Sequence, residues 1–249
     1  MVSPKNSEDN IAQPLIENNS FLPQYSSTEP TNVTNGSVLT PTGSINFNMS
    51  FVFSLLVSFG ALLFASTVWY IASSVDYFFF IWHPTLMAMV LLMATQGSAV
   101  LQKAESRQEK DASLNFHKLM QSITFLSVIG GFYVTYTFKA EGNKEHFTSP
   151  HGKSGLITFL LILIQTIAGS TLVNFPGVVG GAAKARGMYK YHRISGYLVL
   201  FLVWLTALGG TQADWTKSQF DHLWVWLLAA GMVLVGTIGG INSNKLKVR

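Results

Sequence analysis

The chain contains no cysteine, and this absence excludes several kinds of redox and metal site. Disulfide bonds, iron–sulfur clusters and haem attached covalently through a Cys-x-x-Cys-His motif all need cysteine. Charged residues are also scarce, at 11% of the chain, against 49% for hydrophobic residues. A typical soluble domain carries about 25% charged residues. The composition therefore predicts an integral membrane protein in which any redox cofactor is held without covalent bonds.

The first 49 residues lack a long apolar run and are rich in Ser, Asn, Thr and Pro. Such a segment cannot bury a core, and we expect residues 1–49 to form a disordered cytosolic tail. Residues 50–249 form the membrane domain. No basic segment followed by a short apolar core opens the chain, so we expect the first span to act as an uncleaved insertion signal.

Six apolar runs approach the ~20 residues that a helix needs to cross a bilayer. We place them at 50–72, 77–101, 117–138, 151–173, 191–210 and 222–241. The predicted fold class is thus an all-α integral membrane protein with six transmembrane helices. Of the 16 Lys and Arg, only Lys139, Lys144, Lys153 and Lys217 fall on the side opposite the termini. By the positive-inside rule, both termini are cytosolic.

Four successive runs each carry one histidine near the end where the run begins, at His83, His117, His151 and His192. An ionisable side chain in a membrane is costly unless something binds it. The topology places His83 and His151 near the non-cytosolic side, and His117 and His192 near the cytosolic side. Alternate helices lie across from one another in a four-helix core. Because two imidazoles on opposite faces of a porphyrin form a low-spin b-type site, the pattern predicts two bis-histidine haems b within spans 2 to 5.

Glycine follows two of the histidines by four residues, at Gly155 and Gly196, and leaves room there for the edge of a flat ligand. The other two histidines have Met87 and Gln121 at this spacing. With each ligand about five residues inside a ~30 Å hydrocarbon core, the two irons would lie roughly 15 Å apart. We interpret the remaining small residues of the spans as ordinary helix packing: Gly130, Gly131, Gly169, Ser170, Gly209 and Gly210.

Basic side chains cluster on the side of His117 and His192, where haem propionates and an anionic electron donor would both favour positive charge. Two of them directly follow a predicted ligand and are candidates for cofactor or donor contacts. Three more are candidates for the mouth of a donor site, although the same residues also serve as topology determinants. The first group is Lys118 and Arg193, and the second is Lys184, Arg186 and Lys190.

Two further histidines lie in non-cytosolic loops. His146 precedes His151 by five residues and stands beside Lys144 and Lys153, so it is a candidate for binding an electron acceptor. A solvated loop histidine is an equal alternative there. For His222 we favour the solvated interpretation.

The four histidine motifs are similar, in order and spacing, to those of the eukaryotic cytochrome b561 family, and to its small six-span members above all. They read WHPTLM at His83, FHKLMQ at His117, HFTSPHGKSGL at His151 and YHRISGYLV at His192. A segment Asn242-Ser243-Asn244 after the last span extends the resemblance, which covers about residues 50–249.

The resemblance implies a transmembrane ascorbate-dependent oxidoreductase of the plasma membrane or an endomembrane such as that of the vacuole, lysosome or endoplasmic reticulum. In this family, cytosolic ascorbate reduces the inner haem, and monodehydroascorbate or a ferric chelate is reduced on the other side. Family members pair the second-span ligand with the fourth and the third with the fifth, as the topology does here. The expected partners are these redox substrates and the lipid bilayer. A homodimer is an allowed assembly, and no nucleic acid is expected.

Two other functions remain open. A non-redox transporter or channel would use the histidines as proton or metal sites, although the spans lack acidic residues and paired broken helices. A second kind of di-haem cytochrome would take its electrons from a quinol. A colourless purified protein would favour the transporter, and fast reduction by quinol without a response to ascorbate would favour the quinol enzyme.

Overall fold

The computed structural model describes residues 38–39, 45–46 and 49–241. Val38–Leu39 (β1) pairs in an antiparallel manner with Ile45–Asn46 (β2). The other regular elements of the described part of the chain are helical. Most of the predicted disordered tail and the segment Asn242-Ser243-Asn244 lie outside the described residues.

Six helices are long and apolar enough to cross a membrane, and the prediction of an all-α protein with six transmembrane helices is confirmed. They are α1 (Met49–Ser74), α2 (Trp82–Lys103), α3 (Arg107–Glu141), α4 (Pro150–Asn174), α5 (Ala182–Thr211) and α7 (Leu223–Gly240). A short helix, α6 (Asp214–Gln219), precedes the last span, and 3₁₀ turns occupy Phe79–Ile81 and Pro176–Val179. The protein is therefore an integral, multi-pass membrane protein.

Two helices begin well before the apolar runs that they contain. Helix α3 begins at Arg107, where the sequence predicts a span from 117, and α5 begins at Ala182 rather than 191. A capping box starts α3: the Ser106 side chain accepts from the Glu109 backbone N–H at 3.2 Å, and the Glu109 carboxylate accepts from the Ser106 N–H at 3.3 Å. Hydropathy locates only the apolar part of such a helix, while the polar turns continue for as long as the residues favour helix.

The helices α2 and α4 instead begin beside their histidines. Pro84 is the third residue of α2, so it lies in the first turn, where its missing N–H leaves no helical hydrogen bond broken. Helix α4 begins with Pro150, and Ser149 caps it by accepting from the Gly152 N–H at 3.0 Å. His83 and His151 are thus the second residues of their helices, held by a rigid first turn.

The helices pack as antiparallel partners. Helix α2 pairs with α3, and α4 with α5, while α1 and α7 pack against one another. Gly60 allows the α1–α7 contact, since a Cβ there would lie 2.5 Å from the Ala229 carbonyl oxygen. At the centre, the buried Trp204 indole donates to Thr95 Oγ1 at 3.1 Å and joins α5 to α2. The four histidine-bearing helices α2 to α5 are therefore joined to one another and flanked by the α1–α7 pair, in which α1 packs against α2.

Candidate functional site

The structure brings together His83 and His151, which we call the first pair. Their ring centres lie 6.3 Å apart, with the ring planes at 77°. Imidazoles bind metals such as zinc at about 2.0–2.1 Å, so two rings on opposite sides of one metal have their centres a little over ~6 Å apart. The first pair therefore has the separation that two axial ligands of one metal need.

The second pair, His117 and His192, lies at the other end of the same helices. The two side chains are close enough to interact electrostatically, and both are half-buried. His192 packs directly against α4, because a Cβ on Gly169 would lie 2.8 Å from its Cε1 atom. The structure thus places His83 and His151 at one end of the four helices and His117 and His192 at the other, and their pairing as ligands of two haems stays a prediction.

Each pair supplies two donors and no more. Among the residues that the structure describes, no group of three or more His, Cys, Asp or Glu side chains converges in a way that would hold a metal ion. A bare zinc ion usually takes three or four protein ligands. A haem iron takes four nitrogens from the porphyrin and needs only axial ligands from the protein. The donor sets therefore fit a haem better than a free metal ion.

Three of the imidazoles are oriented by backbone carbonyls. Nδ1 lies 2.9 Å from the Gly131 oxygen in His83, 2.8 Å from the Gly97 oxygen in His117, and 3.0 Å from the Thr206 oxygen in His151. A carbonyl oxygen can only accept, so the proton of each ring sits on Nδ1 and the lone pair on Nε2 stays available. This is the arrangement in which metal-binding histidines are usually held.

His192 has a different partner, the side chain of Gln165 on α4. The amide nitrogen of Gln165 lies 3.1 Å from His192 Nδ1 and donates to the His192 carbonyl oxygen at 2.6 Å. Gln165 Oε1 in turn accepts from the Ser195 hydroxyl at 2.9 Å. The fourth imidazole is therefore oriented by a side-chain network instead of a carbonyl.

A regular spacing relates the four partners. Each partner lies on the helix that is paired with the histidine's own helix, and each follows that helix's own histidine by 14 residues. These residues are Gly97 after His83, Gly131 after His117, Gln165 after His151 and Thr206 after His192. At a rise of 1.5 Å per residue, each histidine and the orienting partner on its own helix lie about 21 Å apart along the helix axis. The separation of roughly 15 Å between the two irons stays a prediction.

An apolar cavity of about 370 Å³ adjoins the first pair. This volume is within the range of about 300–1,000 Å³ that small-molecule sites occupy. Phe80 stacks on the His83 ring at 5.4 Å, and Gly155 lines the wall, as predicted for a residue that leaves room for a flat ligand. The first pair therefore combines two metal donors with an apolar space beside them.

Gly196, the other glycine four residues after a histidine, has a different environment. A Cβ there would lie 3.0 Å from Gln165 Nε2, so the glycine makes room for this amide. Gly131, Gly169 and Gly210 allow close helix packing, as expected, and they also contact the histidines. The first supplies a carbonyl to His83, and Cβ atoms on the other two would lie 2.8 Å from His192 Cε1 and 3.0 Å from His151 Cε1. Glycines thus border the imidazoles themselves.

His146 lines the same cavity as the first pair. Its ring stacks on Tyr136 at 4.4 Å, and the following residue, Phe147, has a positive φ of 56°. Lys139 also lines the cavity and donates to the Glu145 carbonyl at 2.9 Å. The structure therefore places His146 in the lining of the cavity, while His222 contacts Phe220 edge-on and lies outside the cavity lining.

The predicted basic residues lie on the amino-terminal parts of α3 and α5. Lys190 Nζ lies 4.9 Å from the centre of the Tyr191 ring, and a Cβ on Gly180, which has a φ of 92°, would approach the Lys184 side chain at 3.2 Å. Four of the residues are exposed, and Lys190 is half-buried: Lys118, Lys184, Arg186, Lys190 and Arg193. They form a basic region beside the second pair.

The 14-residue partners are the functional residues that sequence reasoning missed. Gly97, Gly131 and Thr206 act through main-chain oxygen atoms, which leave no side-chain signal. Of the four partners, Gln165 alone could have been suspected from the sequence, because a polar side chain inside a span usually has a specific partner.

Comparison with known proteins identifies the family to which the chain belongs. The model of the eukaryotic cytochrome b561 family matches residues 82–218, which run from the start of α2 to α6 and include all four histidines. Transmembrane reductase CYB561D2 of Mus musculus is 26% identical over 167 residues, or 61% of this chain and 72% of that protein. The family match covers more than half of the chain. The chain therefore belongs to the eukaryotic cytochrome b561 family.

Proposed function

We propose that the chain is a transmembrane oxidoreductase that holds two haems b and carries electrons from cytosolic ascorbate to a non-cytosolic acceptor, monodehydroascorbate or a ferric chelate. Membership of the family and the name of the mouse relative, a transmembrane reductase, support the class of reaction. The observation that carries the proposal is the set of four imidazoles in two pairs, three of which keep Nε2 free by donating Nδ1–H to a carbonyl.

In this proposal, His83 and His151 bind the haem on the non-cytosolic side, and His117 and His192 bind the haem on the cytosolic side. A b-type haem with two axial imidazoles supplies one-electron transfer at the iron. The chain itself holds the rings in place through Gly131, Gly97, Thr206 and Gln165. The largely apolar lining of the cavity keeps water away from the first pair.

The basic region beside the second pair supports the cytosolic orientation of that end, because Lys and Arg are retained on the cytosolic side of membrane proteins. It also supports an anionic donor. Ascorbate is an anion, and Lys184, Arg186 and Lys190 raise the positive potential where it would approach. Lys118 and Arg193 are the candidates nearest in sequence to the ligands, for propionate or ascorbate contacts.

His146 is the candidate for contact with the acceptor. It lies in the loop that leads into α4 and lines the cavity together with Tyr136 and Lys139 of α3. An imidazole and an ammonium group in one cavity lining would suit an anionic acceptor such as a ferric chelate or monodehydroascorbate.

The decisive experiment is a reduced-minus-oxidised absorption spectrum of the purified full chain, with haem quantified per chain and ascorbate as reductant. We expect close to two haems b per chain, both reduced by ascorbate. His222→Ala, which removes a histidine outside the two pairs, serves as the control and should keep both haems. A folded but colourless protein would overturn the proposal and favour a transporter, whereas haem that responds to quinol and not to ascorbate would change the donor alone.

A further inference from the structure

The partner of His192 differs in kind from the partners of the other three imidazoles. We propose that Gln165 is a positioning residue for His192 and sets the reduction potential of the haem at the second pair independently of the first. This inference rests on the proposed function, because it needs a haem bound by His117 and His192. It goes further in assigning a role to a residue that binds neither haem iron nor substrate.

An amide offers a choice that a backbone carbonyl does not. The carbonyls of Gly97, Gly131 and Thr206 can only accept, whereas the Gln165 side chain has one end that donates and one that accepts. Here the donating end faces His192, with Nε2 at 3.1 Å from Nδ1. A neutral imidazole bound to iron through Nε2 carries its proton on Nδ1 and needs an acceptor. A half-turn of the amide about its last torsion angle would present Oε1 to that proton.

Ser195 supports both orientations of the amide. Its hydroxyl lies 2.9 Å from Gln165 Oε1 and 2.8 Å from the Tyr191 carbonyl oxygen. A hydroxyl can donate once and also accept. In the present orientation it donates to Oε1, and after the half-turn it would donate to Tyr191 and accept from Nε2. The half-turn would also place Oε1 beside the His192 carbonyl oxygen, to which Nε2 now donates at 2.6 Å. The amide would therefore exchange that bond for one from His192 Nδ1–H and keep Ser195 as a partner in both orientations.

The backbone opposite Gln165 leaves space for this amide. A Cβ on Gly196 would lie 3.0 Å from Nε2, closer than side chains normally pack. At the corresponding position of the first pair, a Cβ on Gly155 would meet its nearest neighbour, Thr206 Cγ2, at 3.9 Å, an ordinary contact. The glycine of the second pair thus accommodates the positioning residue, whereas that of the first pair borders the cavity.

The strength of the acceptor at Nδ1 determines how strongly an imidazole donates to iron. A stronger acceptor makes the ring more basic, which stabilises the ferric state and lowers the reduction potential. Gln165→Glu replaces the amide by an acceptor-only carboxylate, and Gln165→Leu removes the partner. We expect opposite shifts of about tenfold in the reduction equilibrium, which corresponds to about 59 mV for a one-electron couple.

The test is a spectroelectrochemical titration of the purified full chain, with electron paramagnetic resonance of the ferric haems and haem quantified per chain. One midpoint should fall in Gln165→Glu and rise in Gln165→Leu, with a changed low-spin signal, while the other midpoint stays constant. Thr171→Val is the matched control, since this α4 side chain bonds only to its own helix, at the Ile167 carbonyl. A titration in the His151→Ala background, where only the second pair is intact, should show the same shift.

Ser195→Ala and Gly196→Ala disturb the amide without removing it and should shift the same midpoint by less. If the Gln165 variants lose the second haem, these two variants still test whether the amide sets its midpoint. Gly231→Ala, at a position with open space around it, is the control for Gly196→Ala. Unchanged midpoints in every variant that retains two haems would overturn the inference and leave the proposed function intact. A wild-type chain without two haems would overturn the proposed function itself.

Discussion

His83 and His151 are the second residues of α2 and α4, whereas His117 and His192 each follow ten residues of helix. The first pair lies beside an apolar cavity whose lining includes His146 and several aromatic side chains. The second pair lies where the helices leave the apolar runs and continue into a basic region. The two ends of one bundle thus offer similar imidazole pairs in unlike surroundings. We infer that the imidazole pairs determine where the two haems bind, and that the surroundings of each pair determine which substrate exchanges electrons there.

Replacing single ligands should have the largest effect and should separate the two pairs. His117→Ala or His192→Ala should remove about half of the haem and abolish reduction by ascorbate, because the haem that accepts electrons from ascorbate is lost. His83→Ala or His151→Ala should remove a similar amount while ascorbate still reduces the remainder. Haem quantification and stopped-flow absorbance measure both outcomes. If the second-pair variants were reduced by ascorbate at the normal rate, the assignment of the donor site to the second pair would be wrong.

The glycines that border the imidazoles should come next in effect. A Cβ on Gly169 would lie 2.8 Å and 3.1 Å from two atoms of the His192 ring, and on Gly210 it would lie 3.0 Å and 3.3 Å from two atoms of His151. Overpacking of this kind costs about 1–3 kcal/mol. Gly169→Ala should therefore weaken haem retention at the second pair, and Gly210→Ala should weaken it at the first pair by less.

Thermal release of haem, followed by absorbance in detergent, measures this difference. Gly231→Ala should release haem at the wild-type temperature, since a Cβ there meets nothing within 4 Å. If Gly169→Ala destabilised both pairs equally, the ring contact would not be the cause.

Neutralising the basic region should have a smaller effect that depends on ionic strength. The combined change of Lys184, Arg186 and Lys190 to Gln should slow reduction by ascorbate on the order of tenfold at low salt, because electrostatic attraction of the anion is lost. The difference should shrink as salt rises, since screening reaches a length of about 10 Å at 0.1 M. Stopped-flow rates at several salt concentrations measure it. Lys217→Gln, on α6, is the control, and an equal loss of rate there would place the donor at the first pair.

Much of the architecture could be predicted because the membrane imposes it. Six apolar runs predicted six spans, and the structure has them. The positions of four histidines within those runs predicted which of them lie at the same end of the bundle. The starts of α3 and α5 could not be predicted in this way, because their first turns are polar and extend beyond the apolar runs that hydropathy detects. The Ser106 capping box was a local signal for the first of them.

The orienting partners are harder to predict, because they depend on how two helices align. The Gly131 carbonyl reaches His83 only because α2 and α3 pack side by side in one register, and nothing near residue 131 indicates a ligand 48 positions away. Gln165 could be suspected as a polar residue within a span, but its partner could not be identified from the sequence. The four-residue spacing of glycine could not show that Gly155 lines a cavity while Gly196 lies against Gln165, because the sequence does not tell which neighbour faces each glycine.

The reciprocal 14-residue spacing means that each hairpin presents the same arrangement when it is turned end over end. His83 reaches Gly131 as His117 reaches Gly97, and His151 reaches Thr206 as His192 reaches Gln165. Electron transfer through an arrangement that is equivalent from both ends has no preferred direction of its own. In the proposed function, the direction of net electron flow follows from the reduction potentials of the donor and the acceptor. The departures from this equivalence are the amide beside His192, the cations at one end and the aromatic rings at the other, and they determine which of the two substrates reacts at which end.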